Sequence, residues 1–197
     1  MIDRNIFKAV SSLGVEGLDN IDLNVTLNKA RALDASAMAE LCENYYPRIL
    51  KYMYYHAGAD KAEDLTGEVF LKVMRSIDKQ TGNFEAWLYK IARNTIIDKA
   101  RYTKARPEVE LDLDVQEQTA DRKDSNQKMT SALDIQSALR LLNEEQRELL
   151  TLKFIQGLNN AEIAEIMEKQ AGAIRAMQFR ALSSLRKLLK KEGKEDE

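Results

Sequence analysis

From Asn159 to Lys191 the chain reads NNAEIAEIMEKQAGAIRAMQFRALSSLRKLLKK, and this stretch decides the fold. A short helical segment, Ala161 to Met167, is followed by Glu168-Lys169-Gln170 and then by a longer helical segment from Ala171. That is the spacing of a helix-turn-helix, and the small residues Ala164 and Gly172 predict a close, steep crossing of its two helices. On a wheel of about 100° per residue, Ile174, Met177, Ala181, Leu185 and Leu188 share one side. Arg175, Arg180, Arg186, Lys187, Lys190 and Lys191 share the other, and no acid interrupts residues 169–191. A solvated helix ordinarily mixes both signs and gains from i,i+4 pairs; a purely basic face forgoes that gain and suits phosphate. Phe179 falls among the basic side chains, where it either meets a thymine methyl or sugar, or packs on a neighbouring helix. Gln178 lies at the edge of the apolar side.

The rest of the chain agrees with an all-α protein. Hydrophobic residues make up 44% of 197, while Gly and Pro number only 8 and 2. The formal net charge is −2, so nucleic-acid binding has to rest on local basic patches offset by acid elsewhere. Cys42 and His56 are the single representatives of their types. This rules out an internal disulfide and a Cys-rich metal site, and it makes a poor catalytic pair. No catalytic residue, metal site or cofactor is expected, and His56 is expected at the surface or in the core. Met1-Ile2-Asp3-Arg4 opens no signal sequence, and no apolar run approaches the ~20 residues of a membrane span. A soluble, cytoplasmic protein is the expectation.

Residues 1–24 read as an N-terminal tail. Residues 25–106 read as a first helical domain, with helices at 26–33, 35–56, 60–77 and 84–104. Pro47 should kink or split the second of these. The polar segment 78–83 is a loop, and Asn83 can N-cap the helix from Phe84, with Glu85 in its first turn. Residues 107–130 turn acidic and lose apolar content, which predicts a flexible linker that could mask basic faces. Helical periodicity resumes near Met129, giving a second domain at 131–190 and a charged tail at 191–197. Asn143 to Gln146 and Asn159 to Glu162 read as capping boxes.

Two faces of the first domain carry opposite charge. Helix 84–104 has a basic stripe of Lys90, Arg93, Arg101 and Lys104 around Ile97, flanked by Tyr89, Tyr102 and the 78–83 loop. Basic side chains with aromatics suit single-stranded or partly melted nucleic acid. Trp87 is a core anchor or a base-stacking residue. In helix 60–77, Leu65, Val69, Val73 and Ile77 form the buried stripe. Asp64, Glu68 and Leu71 share a different face with Arg75 just beyond, either a plain solvated surface or a docking surface for a basic partner protein.

Ala62-Glu63-Asp64-Leu65-Thr66-Gly67-Glu68-Val69-Phe70-Leu71-Lys72-Val73-Met74 resembles the σ2 domain of the sigma-70 family. Phe84-Glu85-Ala86-Trp87-Leu88-Tyr89-Lys90-Ile91-Ala92-Arg93-Asn94, with Asp98 and Arg101, is similar to that family's helix for the −10 promoter element. Leu142-Asn143-Glu144-Glu145-Gln146-Arg147-Glu148, Gly157-Leu158 and Ala161-Glu162-Ile163-Ala164 resemble σ4. Ala171-Gly172-Ala173-Ile174-Arg175-Ala176, with Arg180-Ala181-Leu182, resembles its −35 helix. The order σ2, linker, σ4 without σ3 resembles the extracytoplasmic-function group. The resemblance implies a sigma factor, not an enzyme, that binds core RNA polymerase and promoter DNA, and it admits an anti-sigma protein as a further partner. It implies polymerase binding by Asp64, Glu68, Leu71 and Arg75. It implies −10 binding by Asn83, Lys90, Arg93, Asn94, Arg101 and Lys104, with a flipped base captured at 78–84. It implies −35 binding by Ala171, Arg175, Gln178, Phe179, Arg180, Arg186 and Lys187. The alternative is a stand-alone helix-turn-helix regulator, which accounts for 161–191 alone.

Overall fold

The computed structural model describes residues 22–105 and 137–192, and these are helical, with no strand among them. Helix α1, Leu23–Arg31, begins three residues before the expected start because Asp22 caps it, accepting from the Val25 amide at 3.3 Å. Leu33 then turns the chain with φ at +62°. Asp34 caps helix α2, Ala35–Ala57, through the Ala37 amide at 2.8 Å. Pro47 does not split α2. The carbonyl it leaves without an N–H partner belongs to Glu43, and both residues are exposed, so water can take the missing bond. Gly58, at φ +88°, separates α2 from α3, Ala59–Ser76. A side chain there would strain the backbone and meet the Asp60 carboxylate at 2.9 Å.

Helix α3 ends in a 3-10 turn, Ile77–Lys79, so the expected loop begins as helix. Helix α4, Phe84–Ala105, starts where Asn83 Oδ1 accepts from the Ala86 amide at 2.9 Å. Tyr45, Ile49, Tyr52 and Met53 of α2, Val69 and Val73 of α3, and Leu88, Tyr89 and Ala92 of α4 are all at most 1% exposed and form the first core. Arg31 of α1 reaches Gln80, itself buried, with Nε 3.2 Å from Oε1. That bond ties the turn after α3 to the bundle.

The second domain opens with helical residues 137–140. Helix α5, Glu144–Leu150, is capped by Asn143, whose side chain accepts from the Gln146 amide. A single π-helical turn, Thr151–Ile155, follows, and Gly157 at φ +77° redirects the chain. Helix α6, Asn160–Met167, carries the complete capping box expected from Asn159 and Glu162. Helix α7, Ala171–Glu192, packs on α5 and α6. Ile163, Ile166, Ile174, Ala181 and Leu185 are fully buried with Leu149, Leu150 and Leu152, which makes a second core. Ala164 packs at the margin of that core. Gly172 has no close-packing role, since a Cβ there would meet nothing within 4 Å. No helix among the described residues is long and apolar enough to cross a membrane.

Candidate nucleic-acid and protein interfaces

Helix α3 buries Leu65, Val69 and Val73 and turns Asp64, Glu68, Leu71 and Arg75 outward together. Leu71 is 50% and Met74 43% exposed on that stripe, an apolar strip among charges. Gly67 lies between them with open space over its Cα. Lys72 borders the face, bonded to Glu68 at 2.8 Å and to the Thr95 hydroxyl at 3.0 Å.

The residues expected to meet the −10 element divide into two sets, apart from Lys104, whose side chain lies outside the described residues. Asn94 and Arg101 are exposed. Asn83, Lys90 and Arg93 face the second domain instead. Asn83 Nδ2 donates to Glu162 Oε1 at 3.0 Å, and Lys90 Nζ sits 2.7 Å from Glu168 Oε1. The Lys90 hydrogen bond and charge hold the Glu168 carboxyl below its ordinary value. Arg93 lines a cavity of about 300 Å3 between the domains. Tyr89 does not flank the stripe: it is fully buried, because its place on the helix points into the bundle. Tyr102 remains exposed beside Lys99, whose Nζ lies 6.0 Å from the ring centroid. Trp87 is half-buried against Phe84, which supports the anchor reading over base stacking.

On α7, Ala171, Arg175, Arg180 and Lys187 are exposed, and Phe179 is 62% exposed, so most of its ring faces solvent and not a neighbouring helix. Gln178 is half-buried, as its place at the edge of the apolar side requires. Arg186 is also half-buried, less open than Lys187 beside it.

Sequence reasoning missed the polar network between the domains. Arg48 Nη1 bonds Glu85 at 2.6 Å, and its Nη2 donates to the Gln156 carbonyl at 2.8 Å. The Tyr89 hydroxyl donates to Gln156 Oε1 at 2.7 Å, and Gln156 Nε2 donates to the Arg48 carbonyl at 3.3 Å. The π-helical turn and Gly157 aim Gln156 at these partners. Nearby, the Tyr52 hydroxyl donates to Glu148 at 2.6 Å, and His56 Nε2 is 3.5 Å from the same carboxyl. Burial pushes Glu148 up to about 7, against the Tyr52 hydrogen bond and the Arg93 charge. Burial, with Arg147 nearby, pulls His56 down to about 3. His56 is therefore a neutral core residue, and its Nε2, though near Glu148, makes no hydrogen bond. The one available signal was the run of tyrosines on α2, whose hydroxyls need partners once buried. The expected linker at 107–130 lies outside the described residues, as do residues 1–21 and 193–197 of the expected tails, whereas 23–24 and 191–192 belong to α1 and α7.

The family model described as Sigma-70 region 2 matches residues 41–106, and Sigma-70, region 4 matches residues 132–185. The chain is 37% identical over 177 residues to the ECF RNA polymerase sigma factor BldN of Streptomyces coelicolor, covering 87% of this chain and 67% of that one. It is 30% identical over 172 residues to SigW of Bacillus subtilis, covering 80% and 91%. Among solved structures, the sigma factor RpoE in complex with the anti-sigma factor NepR from Bartonella quintana superposes with a TM-score of 0.65 at 22% identity, covering 79% of this chain and 98% of that one. CnrH in complex with the cytosolic domain of CnrY gives 0.63 at 19%, covering 85% and 96%. These matches, covering both domains in order, place the chain in the sigma-70 family of transcription initiation factors, within its ECF group. It directs promoter-specific initiation by RNA polymerase. A stand-alone helix-turn-helix regulator would leave the region 2 match without a role.

Proposed function

We propose that this sigma factor joins core RNA polymerase through Asp64, Glu68, Leu71 and Arg75 on α3. The turn before α4 and the α4 residues Asn83, Lys90, Arg93, Asn94, Arg101 and Lys104 take the −10 element as it melts. Helix α7 enters the −35 major groove with Ala171, Arg175, Gln178, Phe179 and Arg180 at its leading end, and Arg186 and Lys187 toward the phosphates. Residues 25–106 and 131–190 are the two working units, and 107–130 is their connection. The chain acts by binding and not by bond chemistry, in the cytoplasm where polymerase works. An anti-sigma protein belongs to the same reading, since the Bartonella quintana RpoE is bound to the anti-sigma factor NepR and CnrH is bound to the cytosolic domain of CnrY.

The observation that carries this reading is the α3 face. Leu71 and Met74 stand half in water among Asp64, Glu68 and Arg75, on a helix whose opposite side is fully buried. An apolar strip rimmed by charge fits a protein partner better than solvent. Asp64→Lys with Glu68→Lys tests it. The double variant should fold normally, because neither side chain contributes to the core, and should lose at least about tenfold in affinity for core polymerase. Unchanged affinity would overturn the assignment of this face.

A further inference from the structure

The cavity between α2, α4, α5 and α6 is walled by groups of three different kinds. Ile96 and Ile97 of α4 and Met167 of α6 make an apolar side. His56 of α2 and Glu148 of α5 make a polar corner, and Arg93 of α4 supplies a guanidinium. The volume, about 300 Å3, is at the lower end of the range for small-molecule sites. Glu144 and Glu145 also line it but are exposed, and Lys169 already engages Glu145 at 2.8 Å. Apart from Arg93, none of these residues belongs to the polymerase or promoter contacts proposed above.

The polar corner lacks a donor. The His56 side chain is 2% exposed, and its Nε2 has no hydrogen-bond partner. Burial keeps the imidazole neutral; with its one proton on Nδ1, Nε2 is an acceptor. Glu148 Oε1 accepts from the Tyr52 hydroxyl at 2.6 Å, which leaves Oε2, 3.5 Å from that nitrogen, as a second acceptor facing the first. Two buried acceptors side by side are costly unless a donor group lies between them. An ammonium meets that need best, since it carries three donors and a charge to match the carboxylate. Arg93 offers the same cavity a planar fork of donors, which suits a carboxylate.

We propose that this cavity is a binding site for a small zwitterion, an α-amino acid with an aliphatic side chain: its ammonium bridges His56 Nε2 and Glu148 Oε2, its carboxylate pairs with Arg93, and its side chain lies on Ile96, Ile97 and Met167. The three kinds of wall answer the three parts of such a molecule. A plain alkyl amine leaves Arg93 without a partner, and an alkyl carboxylate sets like charge against Glu148 and gives His56 no donor.

Isothermal titration calorimetry of the full chain tests it with three probes that share one alkyl group: L-leucine, isopentylamine, which lacks the carboxylate, and isocaproate, which lacks the amine. L-Leucine should bind at one site per chain and raise the urea midpoint of unfolding. Each analogue should bind at least about tenfold more weakly, because each leaves a buried polar group without its partner. Glu148→Gln keeps the volume and the acceptor for Tyr52, removes the charge and turns an amide donor toward His56 Nε2. It should lose at least about tenfold in L-leucine affinity with no loss of stability to urea. The comparison of the three probes uses the parent chain alone, so it decides even if the variant unfolds. Neither saturable heat nor a midpoint shift with L-leucine, an analogue that binds as tightly as L-leucine, or unchanged affinity in a folded Glu148→Gln chain would each overturn the site.

Discussion

Gln156→Leu should uncouple the two domains without unfolding either. Leucine keeps the volume of the site but removes an acceptor from the Tyr89 hydroxyl and a donor from the Arg48 carbonyl. Tyr89 is 0% exposed, so its hydroxyl is left buried and unpaired while the domains stay closed. An unsatisfied buried group costs about 1–3 kcal/mol, and the second lost bond adds about 1 kcal/mol. The Gln156 backbone carbonyl still accepts from Arg48, so that bond survives. The sum, about 2–4 kcal/mol, corresponds to roughly a 30- to 700-fold fall in the closed-to-open ratio. Equilibrium urea unfolding reads it: a coupled transition in the parent chain should separate into two, with the first shifted to lower urea. Adding Tyr89→Phe removes the orphaned hydroxyl, so the double variant should recover part of the loss. A coupling energy of about 1–2 kcal/mol is expected from the cycle. A cycle that closes at zero, with Gln156→Leu within about 0.3 kcal/mol of the parent, would refute the claim that this network spans and holds the interface.

Three further outcomes are expected. Domain closure should depend on pH through Glu148, which faces Tyr52 and His56 of α2, Arg93 of α4, and Glu144 and Arg147 of its own helix. Closed, Glu148 titrates near 7 and His56 near 3, against 4.5 and 6.5 in water, so between pH 4.5 and 6.5 both states hold one proton and closure is flat. It weakens as pH rises from 6.5 through 7, where the closed state alone keeps the Glu148 proton, and again below 4.5, where opening takes up a second proton. His56→Gln should convert the plateau into a steady loss of about 3 kcal/mol between pH 4.5 and 7, measured by urea midpoint; a retained plateau would sink this account. Arg175→Ala should cost about 1–3 kcal/mol on a −35 duplex and little on unrelated DNA, whereas Lys187→Ala should weaken both alike. A uniform loss for Arg175→Ala in fluorescence anisotropy would reassign it to phosphate. Phe179→Ala should leave stability within about 0.5 kcal/mol, since the ring is exposed, while lowering −35 affinity; a marked drop in thermal stability would show that the ring packs after all.

The sequence by itself determined the elements and most of what each presents. Period-3.6 apolar stripes at Leu65, Val69 and Val73, and at Ile174, Met177, Ala181 and Leu185, set which sides of α3 and α7 are buried. Short-range capping at Asn83, Asn143 and Asn159 set where helices begin. These signals are local: a cap or a stripe needs only neighbours within a few residues, so the string of residues carries them. Pro47 does not split α2 because a proline's effect depends on whether its unpaired carbonyl reaches water, which the exposed face of α2 allows.

Only the tertiary structure decided which basic residues are open. Lys90 and Arg101 look equivalent along the chain, yet Lys90 meets Glu168, 78 positions away, while Arg101 stays in solvent. Tyr52 with Glu148, and Arg48 with Gln156, are likewise paired across 96 and 108 positions. Polar pairing at such separations leaves no periodic trace, because a buried hydroxyl or carboxyl asks only for some partner and does not encode which one. The choice is made by how two domains, each already specified by its own apolar stripes, come to lie against one another.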